Sequence, residues 1–180
     1  MNRVSKRLFP VLSLCLLALS TQAATGAGPY CATPAWDQTL PAETRFLVLT
    51  NMNGEAVLDR ETGLVWERSL FGNRADYAFS ISECRNRTWG KRLGWRLPNV
   101  EELATLVDYT VGAPGPLLPP GHPFNLVGTI YRYWTATAAV DDATVGYVVD
   151  FTGAGRILAP TFKSSEVAYQ WCVRGSGSTS

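Results

Sequence analysis

Hydrophobic and polar positions alternate along the C-terminal third of the chain, and this period of two residues predicts β-strands. The hydrophobic side of the clearest run consists of Val145, Tyr147, Val149 and Phe151. The last predicted strand presents on one face Val167, Tyr169, Trp171 and Val173. A Gly-Ala-Gly turn at 153–155 leads into a short strand at 156–158. A further strand is predicted over 131–137, where aromatic and β-branched residues are concentrated.

Strands are also predicted near the beginning of the domain. Residues 45–50 form a β-prone run, Asn53-Gly54 is a strong hairpin-turn signal, and 55–59 is the predicted return strand. A Thr-Gly turn then precedes another strand at 64–68. Because strands occur at both ends of the domain, we expect its two ends to meet in one sheet.

Two segments between these strands have the period of an α-helix. The first covers 75–87, and its predicted buried side consists of Ala78, Ile81 and Cys84. The second follows Pro98, with Asn99 as the N-cap and Glu102 as the returning partner of a capping box. Its apolar stripe consists of Val100, Leu103, Ala104 and Val107.

Helices and strands are segregated along the chain rather than alternating. The sequence therefore predicts an α+β fold in which two helices pack on an antiparallel sheet. The large aromatic side chains predicted to fill its core are Trp66, Trp95, Tyr133, Trp134 and Trp171. Residues 113–123 are dense in proline and glycine, so we predict irregular structure there.

The first 23 residues have the order of an export signal: a basic start, an apolar run and small residues before a cleavage point after Ala23. The apolar run is too short to span a membrane, which takes about 20 residues. The predicted layout is a signal peptide at 1–23, a leader at 24–44, one domain at 45–174 and a flexible tail at 175–180. We therefore expect the protein to be exported, to the periplasm or the cell surface.

The charge balance changes when the signal is removed. The full chain has 16 basic and 15 acidic residues and a net charge of +1. The signal contains three basic residues and no acidic ones, so the exported chain has a net charge of −2. This balance gives no electrostatic case for nucleic acid as a partner.

Three cysteines remain after cleavage, namely Cys31, Cys84 and Cys172. At least one disulfide is expected in an oxidising compartment, and three different single pairings are possible. We favour Cys84–Cys172, because both residues lie in segments predicted to be ordered. Cys31 lies in the leader and would be left free or available to another chain.

Catalytic and metal sites are weakly supported. His122 is the sole histidine, so a catalytic triad or a zinc site would need partners of other residue types, and we interpret His122 as a loop residue. Glu101 and Glu102 are adjacent on a helix and point in different directions, and capping already explains them. Asp141-Asp142 is an acidic doublet in a predicted turn, a weak candidate for calcium. We therefore predict no enzymatic activity, no metal and no cofactor.

A basic cluster is the most function-like feature of the sequence. Five cations lie within twelve residues that contain no acid and include Trp89: Arg85, Arg87, Lys91, Arg92 and Arg96. Guanidinium groups pair with sulfate or phosphate, and an exposed tryptophan can stack on a sugar ring. The predicted ligand-binding residues are Arg85, Arg87, Trp89, Lys91 and Arg92. The alternative is a solvated loop in which Arg96 pairs with a nearby carboxylate.

Five short motifs occur in order along the domain: Thr62-Gly63-Leu64-Val65-Trp66, Cys84 on a helix, Trp95-Arg96-Leu97-Pro98 with Glu102-Leu103, Tyr133-Trp134-Thr135-Ala136-Thr137, and Cys172-Val173-Arg174. In this order the chain resembles the DUF1566 family, also called the Lcl C-terminal domain family after a bacterial collagen-like adhesin. The resemblance covers roughly residues 57–174. It implies an exported bacterial protein, and in the adhesin this domain is implicated in binding sulfated glycosaminoglycans.

The helix cysteine, the Arg-Leu-Pro segment and the terminal Cys-Val-Arg also resemble formylglycine-generating enzymes. That resemblance implies a C-type-lectin-like fold closed by a Cys84–Cys172 disulfide. It does not carry the activity, which needs two reactive cysteines. We predict an exported, non-catalytic binding module for an anionic, sulfated polysaccharide. The alternative is a protein-interaction or structural module of the bacterial envelope without affinity for glycans.

Overall fold

The computed structural model describes residues 40–70, 74–126, 132–153 and 158–175. The predicted signal peptide, nearly all of the leader with Cys31, and the tail beyond Gly175 lie outside the described residues. The predicted strand at 156–158 lies outside them except for Leu158.

The described helices and strands form an α+β fold. In chain order they are α1 (Ala42–Arg45), β1 (Phe46–Val48), β2 (Ala56–Asp59), β3 (Val65–Glu67), α2 (Tyr77–Asn86), α3 (Val100–Ala104), β4 (Arg132–Ala138), β5 (Val145–Asp150), β6 (Leu158–Phe162) and β7 (Val173–Arg174). Single 3₁₀ turns lie at Thr50–Met52 and Trp89–Lys91. Among the helices described here, none is long and apolar enough to cross a membrane.

The strands form two antiparallel sheets rather than the single sheet predicted. One sheet has the order β1-β2-β3-β7, and the other has the order β4-β5-β6. The prediction that the two ends of the domain meet is confirmed, because Trp66 of β3 pairs with Val173 of β7. The first hairpin is also confirmed: Asn53 and Gly54 take the positive φ angles of 56° and 71° that its turn requires.

The last predicted strand is wrong as a continuous element. Only Val173 and Arg174 form a regular strand, whereas Ala168 bridges to Ala75 and Tyr169 bridges to Tyr133. Because the segment changes partner along its length, its side chains do not keep one alternating pattern. Val167, predicted on the buried face, is accordingly 44% exposed.

α2 begins at Tyr77, two residues after the predicted start, and it is rotated relative to the predicted orientation. The Asp76 side chain accepts a hydrogen bond of 2.8 Å from the Phe79 amide. Ser80 and Cys84 are the fully buried residues of the helix, whereas Ala78 is exposed, so its predicted burial is wrong. The Ser80 hydroxyl can be buried because it donates to the Asp76 carbonyl oxygen, at 2.8 Å.

α3 has the predicted capping box. Asn99 accepts from the Glu102 amide at 2.6 Å, and the Glu102 carboxylate accepts from the Asn99 amide at 2.8 Å. The helix ends at Ala104, so Val107 of the predicted stripe lies beyond it. The Arg96 guanidinium donates two bonds, of 2.7 and 2.8 Å, to the same Glu102 carboxylate. Burial raises the pKa of Glu102, but these bonds and the charge of Arg96 together lower it below its ordinary value.

We expect Glu102→Ala to lower the free energy of unfolding by about 2 kcal/mol, because it removes a cap bond and leaves Arg96 without its partner. Glu101→Ala is the matched control. Glu101 is the exposed neighbour on the same helix, and its change should stay within about 0.5 kcal/mol. Urea unfolding at pH 7 measures both. Equal effects of the two substitutions would contradict the role assigned to Glu102.

The core has two parts, and the predicted core aromatics are confirmed in both. Trp66, Tyr133 and Trp171 lie in the larger cluster, while Trp95 and Trp134 lie in the smaller one around the two described cysteines. None of these five side chains is more than 2% exposed. The predicted irregular segment at 113–123 contains neither helix nor strand, and it contributes the buried Leu117 and Leu118.

Candidate functional site

A disulfide joins α2 to the residue before β7. The sulfurs of Cys84 and Cys172 are 2.08 Å apart, and both residues are fully buried. The favoured pairing is thus confirmed. Cys84 lies one residue before the basic cluster at residues 85–96, called here the basic loop, whose first two residues are the end of α2. The disulfide therefore fastens the start of this loop to the body of the domain.

The backbone of the basic loop is held by groups outside it. The Gly90 amide donates to the Glu55 carboxylate at 2.6 Å, and the Leu93 carbonyl oxygen accepts from Arg174 Nε at 2.9 Å. Gly90 has a φ angle of +62°, and an added Cβ would lie 2.4 Å from Met52 Cβ, so only glycine fits. Groups from the rest of the fold therefore help to fix the conformation of the loop.

Two of the five predicted ligand residues point their polar groups into the protein. The Trp89 indole N–H donates to Glu67 Oε1 at 2.9 Å, and Trp89 is half-buried. The Arg87 guanidinium lies 5.2 Å from the centroid of the Trp89 ring. It also lies 3.4 Å from the Glu83 carboxylate and 3.9 Å from that of Glu67. These contacts make Arg87 and Trp89 positioning residues of the loop.

The other three predicted residues are available to a ligand. Arg85, Lys91 and Arg92 are exposed, and their side chains form no ion pair or hydrogen bond with any described residue. By contrast, Arg96 pairs with a nearby carboxylate, that of Glu102, as the alternative of a solvated loop expected. The loop thus presents three unpaired cations on a backbone held by the rest of the domain.

Glu67 lies beneath this loop, and the sequence did not single it out. Its Oε2 accepts from the Cys172 amide at 3.3 Å, and its side chain is 1% exposed. Burial raises its pKa to about 7, although Arg87, the Cys172 amide and the Trp89 N–H each lower it. Since this pKa is above the ordinary value of 4.5, Glu67 stabilises the fold at low pH, and this contribution is lost as the pH rises through 7. The sequence feature that could have identified Glu67 is its position as an acidic residue inside the apolar run at 64–68.

A second polar cluster lies where α1 and β2 end. The buried Arg45 pairs with Asp59 at 2.8 Å and with Glu61 at 2.9 Å, and it donates to the Thr105 carbonyl oxygen. Two carboxylates thus compensate one buried guanidinium. The cluster adjoins a cleft of about 600 Å³ between α1 and residues 107–110, on whose rim Tyr109 is 74% exposed.

The remaining candidates make local contacts. His122 is half-buried, its Nδ1 accepts from the Phe124 amide at 3.2 Å, and burial lowers its pKa. The Asp142 carboxylate accepts 2.8 Å and 2.6 Å bonds from the amide and hydroxyl of Thr144. Within the described ranges, no group of three or more His, Cys, Asp or Glu side chains is placed to hold a metal ion.

The part of the chain that forms this site matches a known protein family. A model of the Lcl C-terminal domain matches residues 55–174, which run from the residue before β2 to the end of β7. No curated protein and no solved structure matches the chain. The match spans two thirds of the sequence and contains the disulfide, Glu67 and the whole basic loop. The chain belongs to the Lcl C-terminal domain family.

Proposed function

We propose that this protein is an exported, non-catalytic binding module whose basic loop binds an anionic, sulfated polysaccharide. The observation that carries the proposal is a set of three exposed cations that have no partner in the part of the chain that the structure describes: Arg85, Lys91 and Arg92 of the basic loop. Sulfate groups would supply the missing partners through charge-assisted hydrogen bonds.

A loop held in place favours binding because little conformational entropy is lost when the ligand arrives. The anchors at Gly90 and Leu93 provide this preorganisation. Arg87 and Trp89 position the loop through their contacts with the buried Glu67. Because the exported chain has a net charge of −2, the attraction is local to the loop and should weaken strongly with salt.

Export is part of the proposal. It is supported by the signal-like first 23 residues and by the Cys84–Cys172 disulfide, a bond that persists in oxidising compartments. The C-type-lectin-like architecture implied by the second resemblance stays a prediction. It would agree with a binding module, but the proposal depends on the loop rather than on that fold.

The test is retention on immobilised heparin, a sulfated polysaccharide. We expect Arg85→Ser/Arg92→Ser to bind about tenfold more weakly than wild type, or about 0.7 kcal/mol for each removed cation. The matched control is Arg60→Ser/Arg74→Ser, which removes two exposed cations outside the loop and should leave binding nearly unchanged.

Two results would overturn the proposal: failure of the wild-type protein to bind heparin at low salt, or equal weakening by the two double variants. Either result would favour the alternative, a protein-interaction or structural module of the envelope without affinity for glycans.

A further inference from the structure

Glu67 connects the parts of the structure that hold the basic loop. It is the final residue of β3, its amide donates to the Cys172 carbonyl oxygen at 2.9 Å, and its carboxylate contacts Trp89 and the Cys172 amide. One side chain thus bonds both to the disulfide segment and to the loop. Loss of the charge of Glu67 would therefore alter the contacts that hold the loop while the disulfide stays intact.

The groups around Glu67 come from four elements. α2 contributes Glu83, and the residue that caps its C-terminus is Arg87. The loop contributes the neutral Trp89 indole, the last segment contributes the Cys172 amide, and β2 contributes the apolar Ala56 opposite Glu67. Among these groups, only Arg87 supplies a positive charge.

Arg87 is attracted to Glu67 by charge rather than by a hydrogen bond. Its Nε lies 3.9 Å from Glu67 Oε1, beyond hydrogen-bond distance, and it has no hydrogen-bond partner among the described residues. Protonation of Glu67 therefore removes most of its electrostatic attraction for Arg87, whereas the Trp89 N–H can still donate to a neutral carboxyl oxygen.

We propose that Glu67 is the positioning residue of the basic loop and couples the binding of a sulfated polysaccharide there to the uptake of a proton. The ionised carboxylate holds Arg87 inward and places a buried negative charge beneath the incoming sulfates. The protonated carboxyl removes that charge and leaves Glu83 as the only carboxylate paired with Arg87 among the described residues, so that Arg87 is more available to a sulfate group. This inference rests on the proposed function and adds its regulation.

The direction of the pH effect follows from linkage. A ligand that binds better to the protonated form must raise the proton affinity of Glu67 when it binds. Because the pKa of Glu67 in the folded protein is about 7, affinity should rise as the pH falls from 8 to 6. The sulfates do not titrate in this range, so the change belongs to the protein.

The experiment measures heparin affinity by calorimetry at pH 6 and pH 8, at one fixed salt concentration. For the wild type we expect about fivefold tighter binding at pH 6, the effect of one charge near the ligand at intermediate dielectric. We expect Glu67→Gln to bind with nearly the same affinity at both pH values. Glu83→Gln is the matched control, because it removes a charge that also contacts Arg87 and should keep the pH dependence.

Proton uptake can be read from the wild-type protein, so the test does not depend on the folding of a variant. At pH 7 the heat of binding should differ between phosphate and Tris buffers, in the direction of proton uptake. Heparin binding with equal affinity at pH 6 and 8 and no proton uptake would overturn this inference and leave the proposed function intact. Absence of heparin binding at every pH would overturn the proposed function itself.

Discussion

Replacing both Cys84 and Cys172 by alanine is expected to lower the free energy of unfolding by about 4–5 kcal/mol. The disulfide closes a loop of 88 residues, and opening it returns that loop-closure entropy to the unfolded chain. The effect should be large compared with the total stability of a domain, which is about 5–15 kcal/mol. Urea unfolding followed by tryptophan fluorescence measures it.

The experiment should be made in a Cys31→Ala background, so that no remaining thiol can pair with another chain. Cys31→Ala alone is the control that sets the reference stability. If the double alanine variant lost less than about 1 kcal/mol of its free energy of unfolding, the stabilising role of this bond would be contradicted. An effect that small is typical of ordinary surface substitutions.

Trp171→Ala is expected to lower the free energy of unfolding by about 4 kcal/mol, because it removes a fully buried ring and leaves a cavity. The Trp171 ring packs against those of Trp66, Phe124, Tyr133 and Phe151, with centroid distances of 4.9–5.9 Å. Its indole N–H donates to the Glu67 carbonyl oxygen at 2.9 Å. The substitution therefore affects the larger core and the strand beneath the basic loop together.

Two controls separate packing from polarity. Trp171→Phe keeps a ring in the core and loses the hydrogen bond, so it should cost clearly less than Trp171→Ala. Tyr109→Ala removes an aromatic ring that is 74% exposed and should change stability by less than about 0.5 kcal/mol. Chemical unfolding of the three variants at one pH gives the comparison. Equal losses for Trp171→Ala and Tyr109→Ala would contradict the assignment of Trp171 to the core.

Two of the features predicted correctly, the hairpin turn and the capping box, depend on contacts between near neighbours. Asn53 and Gly54, whose positive φ angles are favoured by residue type, follow a 3₁₀ turn in the connection between β1 and β2. The capping box joins Asn99 to Glu102, three residues apart. Such interactions are contained in a short window of sequence, so the pattern of residue types is sufficient to predict them.

The incorrect predictions concern segments whose partners are distant in sequence. Residues 167–174 pair in succession with Ala75, Tyr133 and Val65, and no local pattern reports a change of partner. The alternation in β5 places Val149 on the hydrophobic side and Val148 opposite it, whereas both residues are fully buried. A strand covered on both faces loses the alternation on which the prediction of a buried side depends.

The candidate site was predicted as a set of residues but not as a geometry. The sequence shows a run of cations with one tryptophan, and it does not show which of them bind other parts of the chain. Arg87 and Trp89 contact Glu67, which lies about twenty residues earlier and is brought beneath them by the β3–β7 pairing. The structure, and not the sequence, distinguishes these two inward-facing residues from the three exposed cations.

The pairing of an early strand with the last one has a consequence for biosynthesis. Residues 171–174 supply the central ring of the larger core, one half of the disulfide and a whole strand of the first sheet. A nascent chain therefore cannot complete its fold until these residues have left the ribosome. In an exported protein, this delay would keep the polypeptide unfolded while it passes through a translocation channel, so that it folds after translocation.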